Sequence, residues 1–207
     1  MDKKNLLFGL VLFIISVSLF NIFLNIFNVS NNYITGFASG YVNITYETVV
    51  NINLTRDSIN WGYGTINAGQ NNATLFTNAN NDGSVLRGNW SGIGVYGLIV
   101  ENIGNVNCSL FIQTNKNAHD FFLSSTTSNE EYKFNVSNKE VNSCSGDLNL
   151  GEWYDANKSS GGTKFCNQFN YYKDSNEIYI DLLLTVPYDA TNIGEQSDII
   201  TLIANSA

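Results

Sequence analysis

Proline, histidine and positive charge are all scarce in this chain of 207 residues. Proline occurs once, at Pro187, and histidine once, at His119. Cysteine occurs three times without any Cys-x-x-Cys spacing, so the common zinc sites built from paired cysteines and histidines are not expected. Lysine and arginine total 10 against 18 acidic residues, and because nucleic-acid binding needs a basic surface, we expect no nucleic-acid partner.

The only long apolar run lies at the start of the chain, from Leu6 to Phe27, after Lys3 and Lys4. A basic start followed by an apolar core is typical of an export signal, and residues 38–40 (ASG) supply small residues for cleavage. About 20 apolar residues also span a bilayer as a helix, so an uncleaved membrane anchor is the alternative. In both cases the remainder of the chain is expected on the outer side of the membrane.

These features divide the chain into residues 1–40, a signal or anchor segment with a short linker, and residues 41–207, an exported domain. The second part is long enough to form one domain with a substantial core. We therefore expect an extracellular or cell-surface protein that is secreted or tethered by an N-terminal helix. The membrane is a partner through the run from Leu6 to Phe27 if that run is not cleaved.

Alternating apolar and polar residues predict strands along much of the exported part. The chain alternates from Tyr41 to Thr55, and the same pattern covers residues 106–113, 132–136 and 178–186. A last strand is expected at about residues 198–204. The predicted inward positions are Val42, Ile44, Tyr46, Val50, Ile52, Leu54, Val106, Cys108, Leu110, Ile112, Tyr132, Phe134, Val136, Ile178, Ile180, Leu182, Leu184 and Val186.

Turn signals separate these segments at residues 61–64 (WGYG), 67–69 (NAG), 81–83 (NDG), 102–105 (NIGN) and 160–162 (SGG). Outside the leader, only residues 118–123 have a helical pattern. Many strands with polar turns and no helical crossovers favour antiparallel sheets. We therefore predict an all-β fold, an antiparallel β-sandwich of Ig-like or jelly-roll-like type, preceded by an N-terminal hydrophobic helix.

The three cysteines leave one unpaired if a disulfide forms, as exported proteins allow. Cys108 shares the inward face of its strand with apolar residues, whereas Cys144 and Cys166 lie in polar, glycine-rich surroundings. We therefore predict a disulfide between Cys144 and Cys166 and a buried free thiol at Cys108. A disulfide between Cys108 and Cys144 is the alternative.

Asn-x-Ser/Thr sequons make several asparagines glycosylation candidates if the host modifies exported proteins. Four of them fall on the predicted outward faces of strands, where a sugar would not enter the core. An eighth sequon, at Asn28, overlaps the leader. The candidates in the exported part are Asn43, Asn53, Asn72, Asn89, Asn107, Asn135 and Asn157.

No clear catalytic or metal motif is visible, so we expect no enzymatic activity, no cofactor and no resident metal. His119 precedes Asp120, but no serine stands in a nucleophile-elbow motif. Residues 78–83 (NANNDG) resemble the first half of a calcium loop, but they lack its leading aspartate and its bidentate glutamate. Trp61 is expected in the core, whereas Trp90 and Trp153 are candidates for an exposed sugar contact.

Two segments carry a family resemblance. In residues 94–114, GVYGLIVENIGNVNCSLFIQT, a strand ends in Asn-x-Gly-Asn before the next strand. In residues 186–204, VPYDATNIGEQSDIITLIA, Val-Pro, a loop with glycine and a final strand close the domain. Together with the leader, this pattern resembles exported archaeal β-sandwich surface proteins and, more loosely, the TasA/camelysin group and archaeal bundling pilins. The resemblance implies that an N-terminal strand can complete the sandwich of the next subunit.

We therefore expect a non-enzymatic, exported cell-surface protein that serves as a structural subunit of a filament or coat. The strand from Tyr41 to Leu54 is the candidate for self-association, because an exposed sheet edge is a template for pairing. We expect its second half, from Val50 to Leu54, to pair internally and its first half, from Val42 to Tyr46, to pair with a neighbour. The alternative is a monomeric adhesive or glycan-binding β-sandwich module.

Overall fold

The computed structural model of the protein describes residues 3–30, 44–92, 94–125, 129–146 and 148–207, and within the first helix the side chains as far as residue 24. Helix α1, Lys3–Ser30, contains the apolar run, and its segment Lys3–Leu24 is long and apolar enough to cross a membrane. A signal sequence has the same character. The polar groups of Ser16, Ser18 and Asn21 donate hydrogen bonds to carbonyls of the preceding turn, which satisfies them within the helix.

The chain divides into two compact units, residues 1–45 and 46–207. The second unit consists of antiparallel strands in two sheets, with one short helix. Its elements in chain order are β1 Ile52–Arg56, β2 Asn72–Asn78, β3 Asn81–Leu86, β4 Leu98–Asn102, β5 Cys108–Thr114, α2 Ala118–Phe122, β6 Glu131–Asn138, β7 Cys144–Ser145, β8 Trp153–Asp155, β9 Thr163–Phe169, β10 Glu177–Pro187 and β11 Ile200–Ser206.

The larger sheet has seven strands and is organised around β10. β6 pairs along one side of β10, whereas β4 and β2 share the other side. Residues 98–101 of β4 pair with residues 177–180, and residues 72–76 of β2 pair with residues 183–187. β1 extends the sheet beyond β4, β3 extends it beyond β2, and β8 extends it beyond β6.

The smaller sheet has four strands in the order β11-β5-β9-β7. Its apolar face and that of the larger sheet contribute to one buried core, so the fold is β-sandwich-like, as the sequence predicts. Residues at the centre of this core include Val100, Cys108, Leu110, Phe134, Phe165, Cys166, Phe169, Ile178 and Ile180.

Most of the predicted inward faces are confirmed. Cys108, Leu110 and Ile112 are buried in β5, and the predicted inward residues of β6 and β10 are buried apart from Val186, which is partly exposed. The predicted helical segment forms α2, whose first turn is capped by reciprocal hydrogen bonds between Asn117 and Asp120.

Three predicted boundaries are wrong. Of the segment predicted as one long strand, residues 41–43 lie outside the described residues, residues 44–51 form no strand, and β1 begins at Ile52. The predicted turn at residues 81–83 lies in β3, because Asn78 already pairs with Asn81 and the chain reverses through Ala79 at a φ of 47°. The last strand is displaced by two residues, to Ile200–Ser206.

On one side of β10 the neighbouring strand changes from β4 to β2, and the sheet divides at this point, here called the fork. At this point the Asp181 side chain is buried, and its Oδ1 accepts hydrogen bonds from Thr77 Oγ1 at 2.7 Å and from the Ala79 amide at 2.6 Å. The Thr77 hydroxyl in turn accepts a bond from the Leu182 amide at 2.9 Å. A Cβ on Gly97 would lie 2.4 Å from Asp181 Oδ1, so this position requires glycine. These contacts replace the missing ladder bonds at the fork.

A disulfide joins Cys144 in β7 to Cys166 in β9, and their Cα atoms are 5.8 Å apart. Among the described residues Cys108 is the free cysteine, and it is fully buried. The alternative pairing of Cys108 with Cys144 is therefore wrong. Disulfides persist in oxidising compartments, so this bond favours such a compartment.

Replacing both Cys144 and Cys166 by alanine should lower the free energy of unfolding by about 3 kcal/mol, because the unfolded chain regains the freedom of a closed loop. Urea unfolding of the full chain measures this loss. The matched control is treatment of the wild-type protein with a reductant, which should give a similar loss. Equal stability with and without the bond would contradict the prediction.

Cys108 should resist alkylation by iodoacetamide at pH 8 in the folded protein and react once urea unfolds it. Burial raises the pKa of this thiol to about 11, so little thiolate exists at pH 8, and the side chain is also inaccessible. Mass mapping after labelling measures the modified fraction. Rapid labelling of the native protein would show that the strand position of Cys108 is wrong.

Replacing Asp181 by leucine should lower the free energy of unfolding by about 2–4 kcal/mol, because the Thr77 hydroxyl and the Ala79 amide lose a charged acceptor. Asp181→Asn is the matched control, since an amide oxygen can still accept both bonds, and it should lose less than half as much. Urea unfolding measures both. A leucine variant as stable as the asparagine variant would contradict this role of the carboxylate.

Candidate self-association surfaces

Two apolar residues that the alternation predicts to face the core are exposed. Ile44 is 87% exposed and Tyr46 70%, and Val49, on the opposite parity, is 49% exposed. By contrast, Val50, Ile52 and Leu54 pack against the core, as predicted for the second half of this segment. Large apolar side chains left in water each forgo roughly 1.5–3 kcal/mol of burial free energy, so this segment is a candidate for contact with another molecule.

The turn that follows β4 holds part of this segment without extending the sheet. The amide of Asn105 donates to the Val49 carbonyl at 3.0 Å, and its side chain accepts from the Val49 amide at 2.7 Å and donates to the Glu47 carbonyl at 2.7 Å. A Cβ on Gly104 would lie 2.3 Å from the Val49 carbonyl oxygen. Only glycine therefore allows the segment to approach so closely.

The same turn also connects the two sheets. Asn102 is 1% exposed, and its side-chain amide donates to the carbonyl of Phe169 in β9 at 3.2 Å and to that of Val106 at 3.1 Å. Its Oδ1 accepts from the Gly104 amide at 3.0 Å. In the Asn-x-Gly-Asn motif, the first residue, Asn102, therefore holds the connection between the two sheets. The last residue, Asn105, holds the exposed segment.

A cluster of exposed apolar residues, here called the first-end patch, consists of Tyr46, Val49, Ile103 and Tyr172. Tyr46 Oη donates to the Asn105 carbonyl at 3.3 Å, which brings its ring to the turn that contains Ile103. The rings of Tyr171 and Tyr172 are 4.2 Å apart. The pKa of Tyr171 is raised by its hydrogen bond to Tyr172 and, less strongly, by the nearby Tyr46.

A second group of exposed apolar residues, here called the second-end patch, consists of Leu123, Tyr188, Ile193 and Ile199, which are 46%, 63%, 85% and 65% exposed. The connection from β10 to β11 carries three of these residues, and it is fastened to α2. The Thr191 amide donates to the Phe122 carbonyl at 3.1 Å, and its hydroxyl donates to the Leu123 carbonyl at 2.7 Å. These bonds bring the loop to Leu123.

Strand register places the two patches at opposite ends of the sandwich. The residues of the first-end patch adjoin the end of β4 and the start of β10, where Glu177 pairs with Glu101. The residues of the second-end patch adjoin the end of β10, where Pro187 pairs with Asn72. Since β10 spans 11 residues, these ends are about 33 Å apart along the strand.

The edge of the smaller sheet is a third candidate surface. β11 is a terminal strand of this sheet, and its sequence, ITLIANS, contains neither charge nor proline. Edge strands that avoid pairing are usually short, charged or interrupted by proline. β11 has none of these protections in its sequence, so its outer edge is a candidate for pairing with an extended chain.

His119 and Asp120, which are adjacent in the sequence, both make structural contacts. His119 Nδ1 lies 3.0 Å from Glu130 Oε1, so it pairs with this buried glutamate and not with the neighbouring Asp120. Asp120 caps α2 and forms an ion pair with Lys158 at 2.7 Å. Its hydrogen bond to the backbone of Asn117, more than the ion pair, lowers the pKa of the Asp120 carboxyl.

The segment at residues 78–83, which resembles half of a calcium loop, is bound by the guanidinium group of Arg56. Asn80 Oδ1 accepts a hydrogen bond from Arg56 Nη2 at 3.0 Å, and Arg56 Nη1 donates to the carbonyls of Ala79 and Gly97. Asp82 is hydrogen-bonded to Tyr96, which raises the pKa of that phenol. A guanidinium therefore already binds oxygens of this turn. Among the described residues no group of three or more His, Cys, Asp or Glu is arranged for a metal.

The three tryptophans differ in surroundings. Trp61 packs against the core, as predicted. The ring of Trp90 lies against Gly64 and Gly88, where a Cβ would come within 2.7 Å of it at either position. Trp153, in the edge strand β8, is partly exposed and lines a groove on the outer face of the larger sheet.

The sequons lie in different environments. Asn53 and Asn89 are exposed, whereas Asn72, Asn107, Asn135 and Asn157 are partly buried. Asn43 lies outside the described residues, and the side chain of Asn28 does as well. The Oδ1 atoms of Asn107 and Asn135 are buried without a hydrogen-bond partner among the described residues. The outward positions of these two asparagines are therefore less open than strand parity alone suggests.

No family model, no curated protein and no solved structure matches this chain. The resemblance to the TasA/camelysin group and to archaeal bundling pilins therefore stays a prediction. The surfaces described above carry the argument about function.

Replacing Asn105 by alanine should release the segment at residues 46–51, because two hydrogen bonds of 2.7 Å are lost. Each such bond contributes about 0.5–1.5 kcal/mol, so the exchange of the Val49 amide should accelerate by about tenfold or more. Hydrogen exchange measured by NMR reports this amide.

Asn105→Asp is the matched control for this release. It keeps the acceptor for the Val49 amide and loses the donor to Glu47, so an intermediate rate is expected. If exchange at Val49 were equal in all three proteins, the side chain of Asn105 would have no role in holding the segment.

Proposed function

We propose that this chain is a non-enzymatic, exported cell-surface protein and a structural subunit of a filament or coat. The observation that carries the proposal is the pair of exposed apolar patches at opposite ends of one sandwich. Large contiguous apolar patches on soluble domains mark interaction sites, and the proposal takes each of these groups of exposed residues to form one. The proposed partner is a second copy of this chain, because the two patches are alike in their apolar character and lie where copies in a row would meet.

Opposite positions of the patches favour a head-to-tail assembly. When the surface of one end binds the different surface of the other end, each added subunit leaves one free patch at each terminus, and the assembly grows as an open chain. A patch that bound its own counterpart would stop at a dimer. The two patches are separated by the length of β10, and this separation supports a filament or coat in preference to a closed dimer.

The apolar helix of the first unit supports the proposed location. Lys3 and Lys4 precede the apolar segment of α1, and this charge distribution favours retention of the N-terminus inside and export of the sandwich. The disulfide between Cys144 and Cys166 supports an oxidising environment. A cell-surface position, with or without cleavage of α1, is part of the proposal.

Extended pairing between subunits supplements the end contacts. The exposed positions of Ile44 and Tyr46 fit a strand that leaves its own domain, whereas Ile52 and Leu54 belong to β1 of the same chain. The outer edge of β11 is the acceptor that we assign to this segment, because it is uncharged and seven residues long.

The proposal assigns no catalytic role to the described polar residues. His119 hydrogen-bonds to a buried glutamate, Asp120 caps a helix, and Asp181 closes the fork in the sheet. Each of these contacts has a structural explanation, and none leaves an activated nucleophile beside a base.

Tyr46→Asp and Ile193→Asp each place a charge in one patch and should each abolish chain growth, since burying an unpaired carboxylate is costly. Negative-stain imaging and analytical ultracentrifugation of the full chain in detergent should show filaments or a ladder of oligomers for the wild-type protein only. Tyr63→Asp is the control, because Tyr63 is 84% exposed and belongs to neither patch.

Mixing the two variants tests the head-to-tail arrangement directly. Each variant keeps one intact patch, and the two intact patches are complementary, so the mixture should form heterodimers and nothing larger. Dimers of each variant alone would indicate that every patch binds itself. A strictly monomeric wild-type protein at micromolar concentration would refute the proposed function and favour the monomeric adhesive module.

A further inference from the structure

The outer face of the larger sheet carries a groove of about 400 Å³ that the proposed assembly does not use. It crosses β8, β6, β10, β2 and β3, and small-molecule sites usually have volumes in this range. Its lining combines apolar and polar side chains, and the residues that the argument uses are Phe76, Asn135, Trp153, Asp181 and Leu183.

Strand register places three of these side chains in one row. Asn135 of β6 pairs with Trp153 on one side and with Asp181 on the other, so their Cβ atoms follow one another at about 5 Å. The next row contains Leu183 and Phe76, which are paired partners in β10 and β2. The indole of Trp153, the amide of Asn135 and the carboxylate of Asp181 therefore lie next to two apolar side chains.

One acceptor of the row remains open to a ligand. The hydrogen bonds from Thr77 and Ala79 both reach Asp181 Oδ1, which leaves Oδ2 for another donor. Asn135 Oδ1 is buried without a hydrogen-bond partner among the described residues, so this side chain offers a ligand its amide nitrogen and not its oxygen. A carboxylate acceptor beside an amide donor suits a ligand rich in hydroxyls.

Charge beside the groove is already neutralised. Lys133 Nζ lies 2.6 Å from Glu131 Oε1, and the Thr185 hydroxyl donates to Glu131 Oε2 at 2.7 Å. The hydrogen bond to Glu131 raises the pKa of Lys133, while the bond from Lys133 lowers the pKa of Glu131. The carboxylates of Asp181 and of Asp155, which pairs with Lys133 across β6 and β8, disfavour an anionic ligand.

We propose that this groove binds a neutral saccharide. A pyranose ring has a C–H face that packs on an indole and hydroxyls that donate and accept hydrogen bonds, which matches the row formed by Trp153, Asn135 and Asp181. The sugar reaches the groove either as a glycan of another molecule or as a glycan attached at Asn135 itself, since residues 135–137 (NVS) form a sequon.

The test uses the full chain in a sugar-free detergent, produced without glycosylation and checked by intact mass. Calorimetric titrations with maltohexaose, cellohexaose, mannohexaose and chitohexaose should give saturable binding of at least one. Trp153→Ala should weaken that binding by about tenfold or more, since loss of an aromatic contact and its buried area costs over about 1.4 kcal/mol. Trp153→Phe, which keeps a ring, should weaken it less.

Trp90→Phe is the matched control and should bind like the wild-type protein, because Trp90 packs on glycines outside the groove. Asn135→Ala provides a second variant in case Trp153→Ala does not fold, and thermal unfolding checks both. The absence of saturable binding by all four oligosaccharides would overturn the proposal, and so would binding that survives Trp153→Ala and Asn135→Ala.

The source of the saccharide is decided by producing the chain in a host that glycosylates exported proteins. Ser137→Ala removes the sequon and keeps Asn135. If peptide mass mapping finds a glycan on Asn135, and free oligosaccharides bind only after Ser137→Ala, the groove holds its own glycan. If Asn135 is unmodified and free oligosaccharides bind, the ligand comes from another molecule. Both results support the proposal, and neither depends on self-association.

Discussion

The carboxylate of Asp181 is the point on which the larger sheet depends. β10 is longer than any of its partners on one side, so β4 and β2 must share that side, and a gap in the hydrogen-bond ladder follows. Asp181 bridges this gap by accepting from Thr77 and Ala79, while Gly97 leaves room for it. Because an unsatisfied buried backbone amide is costly, the fork persists only with such an acceptor in place.

The strand that carries the fork, β10, also positions the surfaces on which the two proposals rest. A single strand, β10, begins beside the first-end patch and ends beside the second-end patch, so its length sets the spacing at which copies would join. Near its centre, Asp181 pairs with Asn135 of β6, which in turn pairs with Trp153 of β8, so the three residues form one row. Assembly through the ends leaves this broad face free, and the two proposals are therefore compatible in one molecule.

The sequence predicted the fold well in strands where alternating apolar and polar residues place one face of the strand in the core. In β5, β6 and β10 the apolar parity matched burial, because a strand in a sandwich has one face in the core. The same rule failed for Ile44 and Tyr46, which alternate like a strand but are exposed, since Gly104 and Asn105 fix the neighbouring backbone outside the sheet. Alternation identifies a face that favours burial but not the molecule that buries it.

By itself the sequence determined the N-terminal apolar segment and the all-β class, and it favoured the pairing of Cys144 with Cys166, because each depends on local pattern or on exclusion of a core cysteine. Only the tertiary structure decided that Asp181 is buried, that Trp153 adjoins Asn135, and that the exposed patches lie at opposite ends. These facts depend on which strands pair and in which register. Register arises from contacts between segments far apart in the chain, and a local pattern carries no information about them.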